Sequence, residues 1–255
     1  MIVQIYEIQT PEEARCVIEA GVHHIGSVIS DSAQWQQASI RDAIQTAHRY
    51  QARASLIPLF FDPRVVFQLM DWYQPDILHF CDALWDETDQ CMDIDPMLKL
   101  QDDIRKARPD IGIMRTIPIP EKGVVPPVDL LSLARAFETL SDWLLIDTWR
   151  QPQTGSESAD QPVNGFIGIT GKPCDWDLAA RLVRLVKIPV ILAGGITPEN
   201  VYEGIMRVQP AGIDSCTGTN ALDSNGNPIR FKKDINQVKK LISAVRQAEA
   251  DLRSV

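Results

Sequence analysis

The chain has 255 residues, of which 45% are hydrophobic and 23% are charged, and its formal net charge is −9. This balance is typical of a globular protein with enough apolar material for a large core, formed as one barrel or as two small domains. The acidic charge argues against a broad nucleic-acid interface and against a polybasic membrane contact, and no stretch approaches the roughly 18 apolar residues of a membrane span.

Strand and helix patterns alternate along the chain from its first residues. The β-rich runs predict eight strands, at residues 2–6, 24–29, 54–60, 76–80, 111–115, 143–146, 188–193 and 211–214. Helical periodicity predicts helices at residues 11–20, 40–50, 63–73, 95–107, 128–140, 175–186, 198–207 and 234–252. The first helix also has start signals, with Thr10 as its N-cap, Pro11 in the first turn and Glu13 three residues after the cap.

Eight strand–helix units in this length predict a parallel eight-stranded sheet closed into a (β/α)8 barrel, the TIM barrel, over residues 1–255 as a single domain. A doubly wound open sheet is the alternative, but no glycine-rich dinucleotide fingerprint follows the first strand. No break in composition marks a second domain. A polar stretch at residues 149–164 is either a mobile active-site loop or a disordered segment.

The amino terminus and the cysteines bear on the compartment. The first ten residues, MIVQIYEIQT, lack the basic region and the long apolar run of a secretory signal. The five cysteines are odd in number and have no CxxC spacing, which is typical of free thiols in a reducing compartment. We therefore expect a cytoplasmic protein. The four histidines show no zinc-binding spacing, so no metal site is predicted.

Two segments rich in glycine and hydroxyl groups follow the predicted strands 7 and 8, where barrels of this type bind phosphates. Gly194 and Gly195 let main-chain N–H groups approach an anion, and a helix predicted from Pro198 points its positive end the same way. Each half alone could be only a turn, but together they predict a phosphate site. The small residues after strand 8 are Ser215, Thr217 and Gly218.

Here the chain resembles the phosphoribosylanthranilate isomerases, the Amadori-rearranging enzymes of tryptophan biosynthesis. The most specific matches are LAGGITPENV at residues 192–201 and GIDSCTGTN at residues 212–220. Looser matches occur in the family's order, namely PEEA at 11–14, DILH at 76–79, LLIDT at 144–148, ITGKPCDW at 169–176 and KD at 233–234. The resemblance is specific in the carboxyl-terminal half and loose in the amino-terminal half.

The resemblance implies a reaction that opens a ribosylamine ring and moves a proton from C2′, with one general acid and one general base. Asp147 at the end of strand 6 matches the family's acid. The family's base is a cysteine at the end of strand 1, where Tyr6 falls here with Glu7 next to it. Either Glu7 or Tyr6 would stand at the base position, although the strand parity that points Tyr6 inward points Glu7 outward. Tyrosine, with a pKa near about 10, is a poor base at neutral pH.

The resemblance also concerns substrate recognition. The family's Ser-Pro-Arg, whose arginine holds the anthranilate carboxylate, falls on residues 33–35, where Trp35 replaces the arginine. His79 after strand 4 contacts the substrate or belongs to a hydrogen-bonded layer. Arg115 on strand 5 binds an anionic ligand or pairs with a nearby carboxylate. Asp214 faces the ligand, as its counterpart does in the family, or caps strand 8.

Three functions follow as hypotheses. The first is a phosphoribosylanthranilate isomerase-like enzyme that acts on a small phosphorylated substrate as a monomer or homodimer, with no metal or organic cofactor implied. The second is a non-catalytic barrel that binds a phosphorylated metabolite or serves as a regulatory or scaffold partner. The third is a different phosphosugar enzyme built on the same phosphate site, because the barrel hosts many chemistries.

Overall fold

The computed structural model describes residues 1–86, 90–150 and 165–254. Eight parallel strands close into a barrel in chain order, which confirms the predicted (β/α)8 architecture. The strands are β1 (Ile2–Ile5), β2 (His24–Ile29), β3 (Arg53–Pro58), β4 (Ile77–Phe80), β5 (Gly112–Pro120), β6 (Trp143–Trp149), β7 (Val190–Leu192) and β8 (Gly212–Ser215). The barrel closes where β1 pairs with β8, with Gln4 opposite Asp214.

The helices lie between the strands and after the last one. They are α1 (Pro11–Glu19), α2 (Ala38–Arg49), α3 (Pro63–Tyr73), α4 (Asp95–Ala107), α5 (Leu130–Glu138), α6 (Trp176–Leu185), α7 (Val201–Val208) and α8 (Ile235–Leu252). Thr10 caps α1 by accepting the N–H of Glu13, as predicted, and Asp175 and Asp234 cap α6 and α8 in the same way. No described helix is long and apolar enough to cross a membrane.

The strands are buried on both faces, as a parallel sheet inside a helix layer requires. One apolar cluster fills the barrel interior, and a larger one packs the helices against the outer face. Burial of each such side chain contributes about 1.5–3 kcal/mol, so these two clusters hold the strand ends in place. The interior cluster includes Ile57, Ile77, Met114, Leu145 and Ile191.

Several elements differ from the sequence predictions, and three of these differences bear on the site. Strands β5 and β6 pair as far as Pro120 and Trp149, so Asp147 lies within β6 and not at its end. Helix α7 begins at Val201 and not at 198, because Asn200 holds a turn by accepting the N–H of Thr197 and donating to the carbonyl of Gly195. A hairpin of β9 (Asn220–Leu222) and β10 (Pro228–Lys233) was not predicted.

The polar stretch at 149–164, predicted to be either a mobile active-site loop or a disordered segment, lies outside the described residues from position 151 onward. The hairpin of β9 and β10 follows a single 3-10 turn at Thr217–Thr219, directly after β8. It therefore stands at the carboxyl ends of the strands, where barrels of this type place their active sites.

Candidate functional site

Two adjoining pockets open at the carboxyl ends of the strands. We name one the glycine pocket, lined by residues 169–171, 193–196 and 216–218 with Asp147 and Asp214. We name the other the central pocket, lined by Tyr6 and Glu7 after β1, by side chains on or just after β2 to β6 and β8, and by residues 167–169. They enclose about 300 and 490 Å³ including their open mouths, and they share Asp147, Ile169, Asp214 and Cys216. These sizes suit small-molecule ligands.

The glycine pocket is formed by main chain that packs too closely for side chains. Gly195 has a φ of +58°, and a Cβ there would lie 2.5 Å from the carbonyl carbon of Lys172. A Cβ on Gly218 would lie 2.3 Å from the carbonyl oxygen of Ile196. Only glycine fits these approaches, which bring three loops together. The pocket therefore presents main chain with little side-chain cover to a ligand.

Most of the predicted phosphate residues line this pocket. Gly194, Gly195, Thr217 and Gly218 are among its walls. Ser215 is not among them, because its hydroxyl is buried and donates to the carbonyl of Ile196 at 2.7 Å. The serine thus joins the loops after β7 and β8, and does not offer its hydroxyl to a ligand.

Lys233, which directly precedes the predicted last helix, supports the loop after β8. Its side chain is buried, and Nζ donates to the carbonyl of Cys216 at 3.0 Å and to Oδ1 of Asn220. It therefore holds the segment that carries Thr217 and Gly218, and its ammonium lies next to Cys216, which lines the glycine pocket. A buried lysine with such partners stabilises nearby negative charge.

Asp147 lies where the two pockets meet. Burial raises the pKa of its carboxyl from 3.8 to about 6, although Oδ1 accepts the N–H of Thr148 at 2.7 Å, which lowers it. Gly168 makes room for this group, since a Cβ there would lie 2.7 Å from Oδ2 of Asp147. A carboxyl group with a pKa near 6 can donate and accept a proton close to neutral pH.

Asp214 on β8 also lines both pockets, and Oδ1 has no hydrogen-bond partner in the described part of the chain. Burial raises the pKa of its carboxyl well above the usual value, and the nearby charge of Asp147 raises it further. Asp214 is therefore protonated under conditions in which an ordinary aspartate is charged. It faces the ligand space, one of the two alternatives expected from the sequence.

Tyr6 and His79 form part of the floor of the central pocket. The Tyr6 hydroxyl bonds to Oγ of Ser55 at 2.6 Å and to Nδ1 of His79 at 2.5 Å, and Nε2 of His79 bonds to Oγ1 of Thr116 at 2.7 Å. Burial raises the pKa of Tyr6 well above 10 and lowers the pKa of His79 to about 3. Both groups are neutral and use their polar atoms on each other, which matches the layer alternative for His79.

Glu7 also lines the central pocket, contrary to the expectation from strand parity. Strand β1 ends at Ile5, and Glu7 adopts a φ of +62°, so the alternation of the strand does not reach it. Its side chain is 1% exposed. The guanidinium of Arg230 on β10 donates twice to Oε1, with Nε at 2.8 Å. Oε2 is buried without an N–H or O–H partner in the described ranges, and the Cys216 thiol lies next to the Glu7 carboxylate.

Cys216 lines both pockets, but its thiol is not suited to nucleophilic or general-base chemistry. Burial raises the pKa of its thiol, while Lys233 lowers it and Glu7 raises it. The thiol is therefore protonated at neutral pH and is a weak nucleophile and a weak base.

Two residues that the sequence placed near the substrate lie elsewhere. Arg115 is buried on the helix side of β5, because the neighbouring strand positions Met114 and Thr116 face inward. Its guanidinium donates to Oδ2 of Asp82 at 2.7 Å and lies 4.6 Å above the Phe137 ring. Pairing with a carboxylate is thus the alternative that the structure contains, and Arg115 does not line either pocket.

Trp35, which stands where the family resemblance would place an arginine, also lines neither pocket. It packs against α3, with ring centroids 5.9 Å from Trp72 and 6.5 Å from Tyr73. Its ring covers apolar surface outside the barrel mouth.

Sequence reasoning missed Arg230 and the strained segment at 168–169. The signal for Arg230 was available, because Asn225-Gly226 between two short runs is typical of a hairpin turn. Ile169 has a φ of +62°, a strained conformation for a β-branched residue, and it lines both pockets. No local pattern predicts such a conformation. Among the described residues, no group of three or more His, Cys, Asp or Glu is arranged to hold a metal ion.

Comparison with known proteins places this geometry among related barrels. A family model described as N-(5′-phosphoribosyl)anthranilate (PRA) isomerase matches residues 111–244. The N-(5′-phosphoribosyl)anthranilate isomerase of Haloferax volcanii is 38% identical over 128 residues, 49% of this chain and 49% of that protein. The corresponding isomerase of Roseiflexus castenholzii is 26% identical over 255 residues, 97% of this chain and 99% of that protein. The match spans about half the length of the Haloferax relative.

Solved structures with the same fold cover nearly the whole chain. N-(5′-phosphoribosyl)anthranilate isomerase from Pyrococcus furiosus superposes with a TM-score of 0.65 at 18% identity, over 97% of this chain and 99% of that chain. A phosphoribosyl anthranilate isomerase in complex with reduced 1-(o-carboxyphenylamino)-1-deoxyribulose 5-phosphate superposes with a TM-score of 0.62 at 17% identity, over 97% of this chain and 100% of that chain. These likenesses establish a shared barrel.

Proposed function

Because the chain belongs to the N-(5′-phosphoribosyl)anthranilate isomerase family, we propose that it catalyses an Amadori-type aldose–ketose isomerisation of a phosphoribosyl amine. The observation that carries the proposal is the placement of two carboxyl groups, Asp147 and Glu7, around one pocket next to a glycine-lined anion pocket. Such a reaction needs a proton donor and a proton acceptor that act at neighbouring atoms of a phosphate-anchored sugar.

In this proposal the glycine pocket binds the substrate phosphate. Main-chain N–H groups around Gly194, Gly195 and Gly218 donate to the phosphate oxygens, and Thr217 adds its hydroxyl. The buried ammonium of Lys233 favours negative charge at the same place. Anchoring the phosphate positions the ribose ring between Asp147 and Glu7, which turns binding energy into orientation of the reacting atoms.

Asp147 is the proposed general acid. It donates its proton to the ring oxygen while the C1′–O4′ bond breaks and the nitrogen lone pair forms a C1′=N bond. The raised pKa of about 6 keeps a useful fraction of this carboxyl protonated near neutral pH, as a general acid requires. Asp214, also protonated, is the proposed donor to a substrate oxygen nearby.

Glu7 is the proposed general base, in preference to Tyr6. Oε2 of Glu7 takes the proton from C2′, the C–H electrons form a C1′=C2′ bond, and the C1′=N electrons return to nitrogen. The resulting enolamine then tautomerises to the ketose. Arg230 holds Oε1 and orients the carboxylate, and the buried Oε2 has no hydrogen-bond partner among the described residues. Tyr6 is less suited, because its hydroxyl is engaged twice and its pKa is raised.

The test is an assay of ketose formation from N-(5′-phosphoribosyl)anthranilate generated in situ and from N-(5′-phosphoribosyl)aniline. Turnover of either substrate that falls by about 10²–10⁴-fold in Asp147→Asn would support the proposal. Absence of ketose from both substrates, with a folded protein that still binds inorganic phosphate, would leave a phosphate-binding barrel without this activity.

We also propose a domain organisation, a compartment, an oligomeric state and a pathway for the enzyme. Residues 1–255 would act as one barrel domain in the cytoplasm, as a monomer or homodimer, in tryptophan biosynthesis or in a diverged relative of that pathway. Support for one domain comes from the pairing of β1 with β8 and from α8, whose Glu249 pairs with the amine of Met1. Support for a reducing compartment comes from the five cysteines, which are all free.

A further inference from the structure

The remaining part of the substrate, the group on the ribosylamine nitrogen, has a defined place if the proposed function holds. The glycine pocket follows β7 and β8, and β2 to β4 stand across the closed barrel from it. With phosphate in the glycine pocket and C1′ and C2′ between Asp147 and Glu7, the nitrogen substituent extends toward β2 and β3. There the central pocket is lined by Val28, Ile57 and Leu59.

This wall of the central pocket is apolar. Val28, Ile57 and Leu59 are each buried to 9% exposure or less, and Leu145 and Ile167 continue the same surface. The polar atoms next to it belong to Tyr6, His79 and Thr116, which bond to one another. The wall therefore suits a ring or an alkyl group, and it offers no pre-formed partner for a charge.

No lysine or arginine lines either pocket within the described residues. Three cations near these pockets are paired with other groups: Arg230 with Glu7, Arg115 with Asp82, and Lys233 with Cys216 and Asn220. Residues 87–89 and 151–164, outside the described ranges, contain no lysine, arginine or histidine in the sequence. The chain thus has no spare cation to bring to the apolar wall from these segments.

Three carboxyl groups already line the central pocket. Glu7 pairs with Arg230, and burial raises the pKa values of Asp147 and Asp214, so none of them favours a second acidic group. A carboxylate on the nitrogen substituent would lose its water against an apolar wall and would find no cation among the described lining residues. An uncharged substituent avoids this penalty.

We infer that the substrate of this chain is a phosphoribosyl amine whose nitrogen substituent is uncharged, and that the site discriminates against the ortho-carboxylate of anthranilate. This inference rests on the proposed function for the placement of the sugar. It concerns the substrate class and not the chemistry, so it can fail while the isomerisation stands.

The test compares two ligands that differ only in the carboxylate. The first is reduced 1-(o-carboxyphenylamino)-1-deoxyribulose 5-phosphate, and the second is the same compound with an unsubstituted phenyl ring. Calorimetric titration of the full chain is expected to give a Kd for the phenyl compound that is about tenfold lower. This factor corresponds to a modest free-energy penalty for burying the unpaired carboxylate of the other compound. Equal or weaker binding of the phenyl compound would overturn the inference, as would failure of both compounds to bind.

A matched pair of variants sharpens the test. Val28→Arg adds a cation to the apolar wall, and Val28→Met adds similar length without charge. The arginine variant is expected to shift the ratio of the two Kd values toward the carboxylated ligand by about tenfold relative to the methionine variant. An unchanged ratio in a folded Val28→Arg protein would show that the substituent does not contact this wall, and would overturn the placement.

Turnover separates this inference from the proposed function. Ketose formation from N-(5′-phosphoribosyl)aniline with a higher kcat/KM than from N-(5′-phosphoribosyl)anthranilate is the expected result. Efficient turnover with the anthranilate compound preferred would refute the substrate class alone. Absence of turnover with both would refute the isomerase, while the two Kd values would still decide which ligand the pocket accepts.

Discussion

The two pockets of this barrel are built by different means. The glycine pocket is main chain, held at Gly195 and Gly218 by contacts that no side chain could share. The central pocket is side chain, and its groups depend on neighbours such as Arg230, which holds Glu7. A main-chain anion site has few positions that can change, because its donors exist in every residue. A site built from side chains can change by single substitutions. This difference explains how the glycine pocket can keep its features while the residues of the central pocket differ from those of the family.

The largest expected effect on activity is at Glu7, which lines the central pocket. Glu7→Gln keeps the size of the side chain but removes the proton acceptor, so kcat should fall by about 10²–10⁴-fold with a smaller change in KM. Steady-state assays of ketose formation would measure both constants. Arg230→Gln, which keeps the base and removes its partner, should lose less activity, and Arg230→Lys should recover part of it. Full activity in Glu7→Gln would assign proton abstraction to another group.

Stability should reveal the cost of keeping a carboxyl group in this pocket. Since burial raises the pKa of Asp147 from 3.8 to about 6, the folded state binds this proton more tightly than the unfolded state. The contribution to stability is complete below about pH 4 and is lost as the pH rises through 6. Asp147→Asn should therefore raise the free energy of unfolding by up to about 3 kcal/mol at pH 8 and change it little at pH 4.

Urea denaturation at the two pH values would measure this difference. The control is Asp177→Asn, because Asp177 is exposed and its pairing with Arg207 lowers the pKa of the carboxyl. That variant should gain no stability at pH 8. The same pH dependence in both variants would contradict the assignment to Asp147.

The close main-chain packing of the glycine pocket is tested by Gly195→Ala. The new Cβ would meet the carbonyl carbon of Lys172 at 2.5 Å, and the residue already has a φ of +58°. We expect a loss of about 1–3 kcal/mol in the free energy of unfolding and a rise in KM that exceeds any fall in kcat. Gly123→Ala is the matched control, since Gly123 has a φ of +88° but nothing within 4 Å of its Cβ position. Equal effects in both would show that the close approach is unimportant.

The smallest effect on activity is expected at Tyr6. Tyr6→Phe removes the hydroxyl that bonds to Ser55 and His79, which should lower the free energy of unfolding by about 1–3 kcal/mol. Because this hydroxyl is part of the floor, kcat should stay within about threefold of the native value, far from the loss expected for a missing base. Thermal unfolding and the isomerase assay would measure the two quantities. A fall in kcat as large as that of Glu7→Gln would return Tyr6 to the base position.

The barrel could be predicted from the sequence because its signals are local. Alternating strand and helix patterns, the Thr10 cap and the glycines after strand 7 each depend on a few neighbouring residues. The phosphate half of the site follows from the same kind of signal. Ser215 was misplaced, because sequence does not tell whether a hydroxyl in a small-residue loop faces a ligand or the next loop.

Much of the rest of the site depends on features that have no local signal, and the Asn225-Gly226 turn before Arg230 is the exception. The inward position of Glu7 comes from a left-handed conformation after β1, which ends the alternation on which strand parity rests. Its partner Arg230 is more than 200 positions away in sequence, in a hairpin that was not predicted. Long-range pairs of this kind follow only from the closed barrel.

The buried pair of Arg115 and Asp82 has a consequence for how this family is compared. Asp82 forms an isolated bridge with Phe166, and the N–H of Ile167 donates to the carbonyl of Cys81 at 2.8 Å, so the loop after β4 supports the segment that leads to Gly168. Loss of Arg115 would therefore disturb a pocket that it never touches. In an alignment of relatives, an arginine conserved because it supports the pocket wall would look the same as an arginine conserved because it binds substrate. Invariance at this column would report mechanical support for the pocket wall.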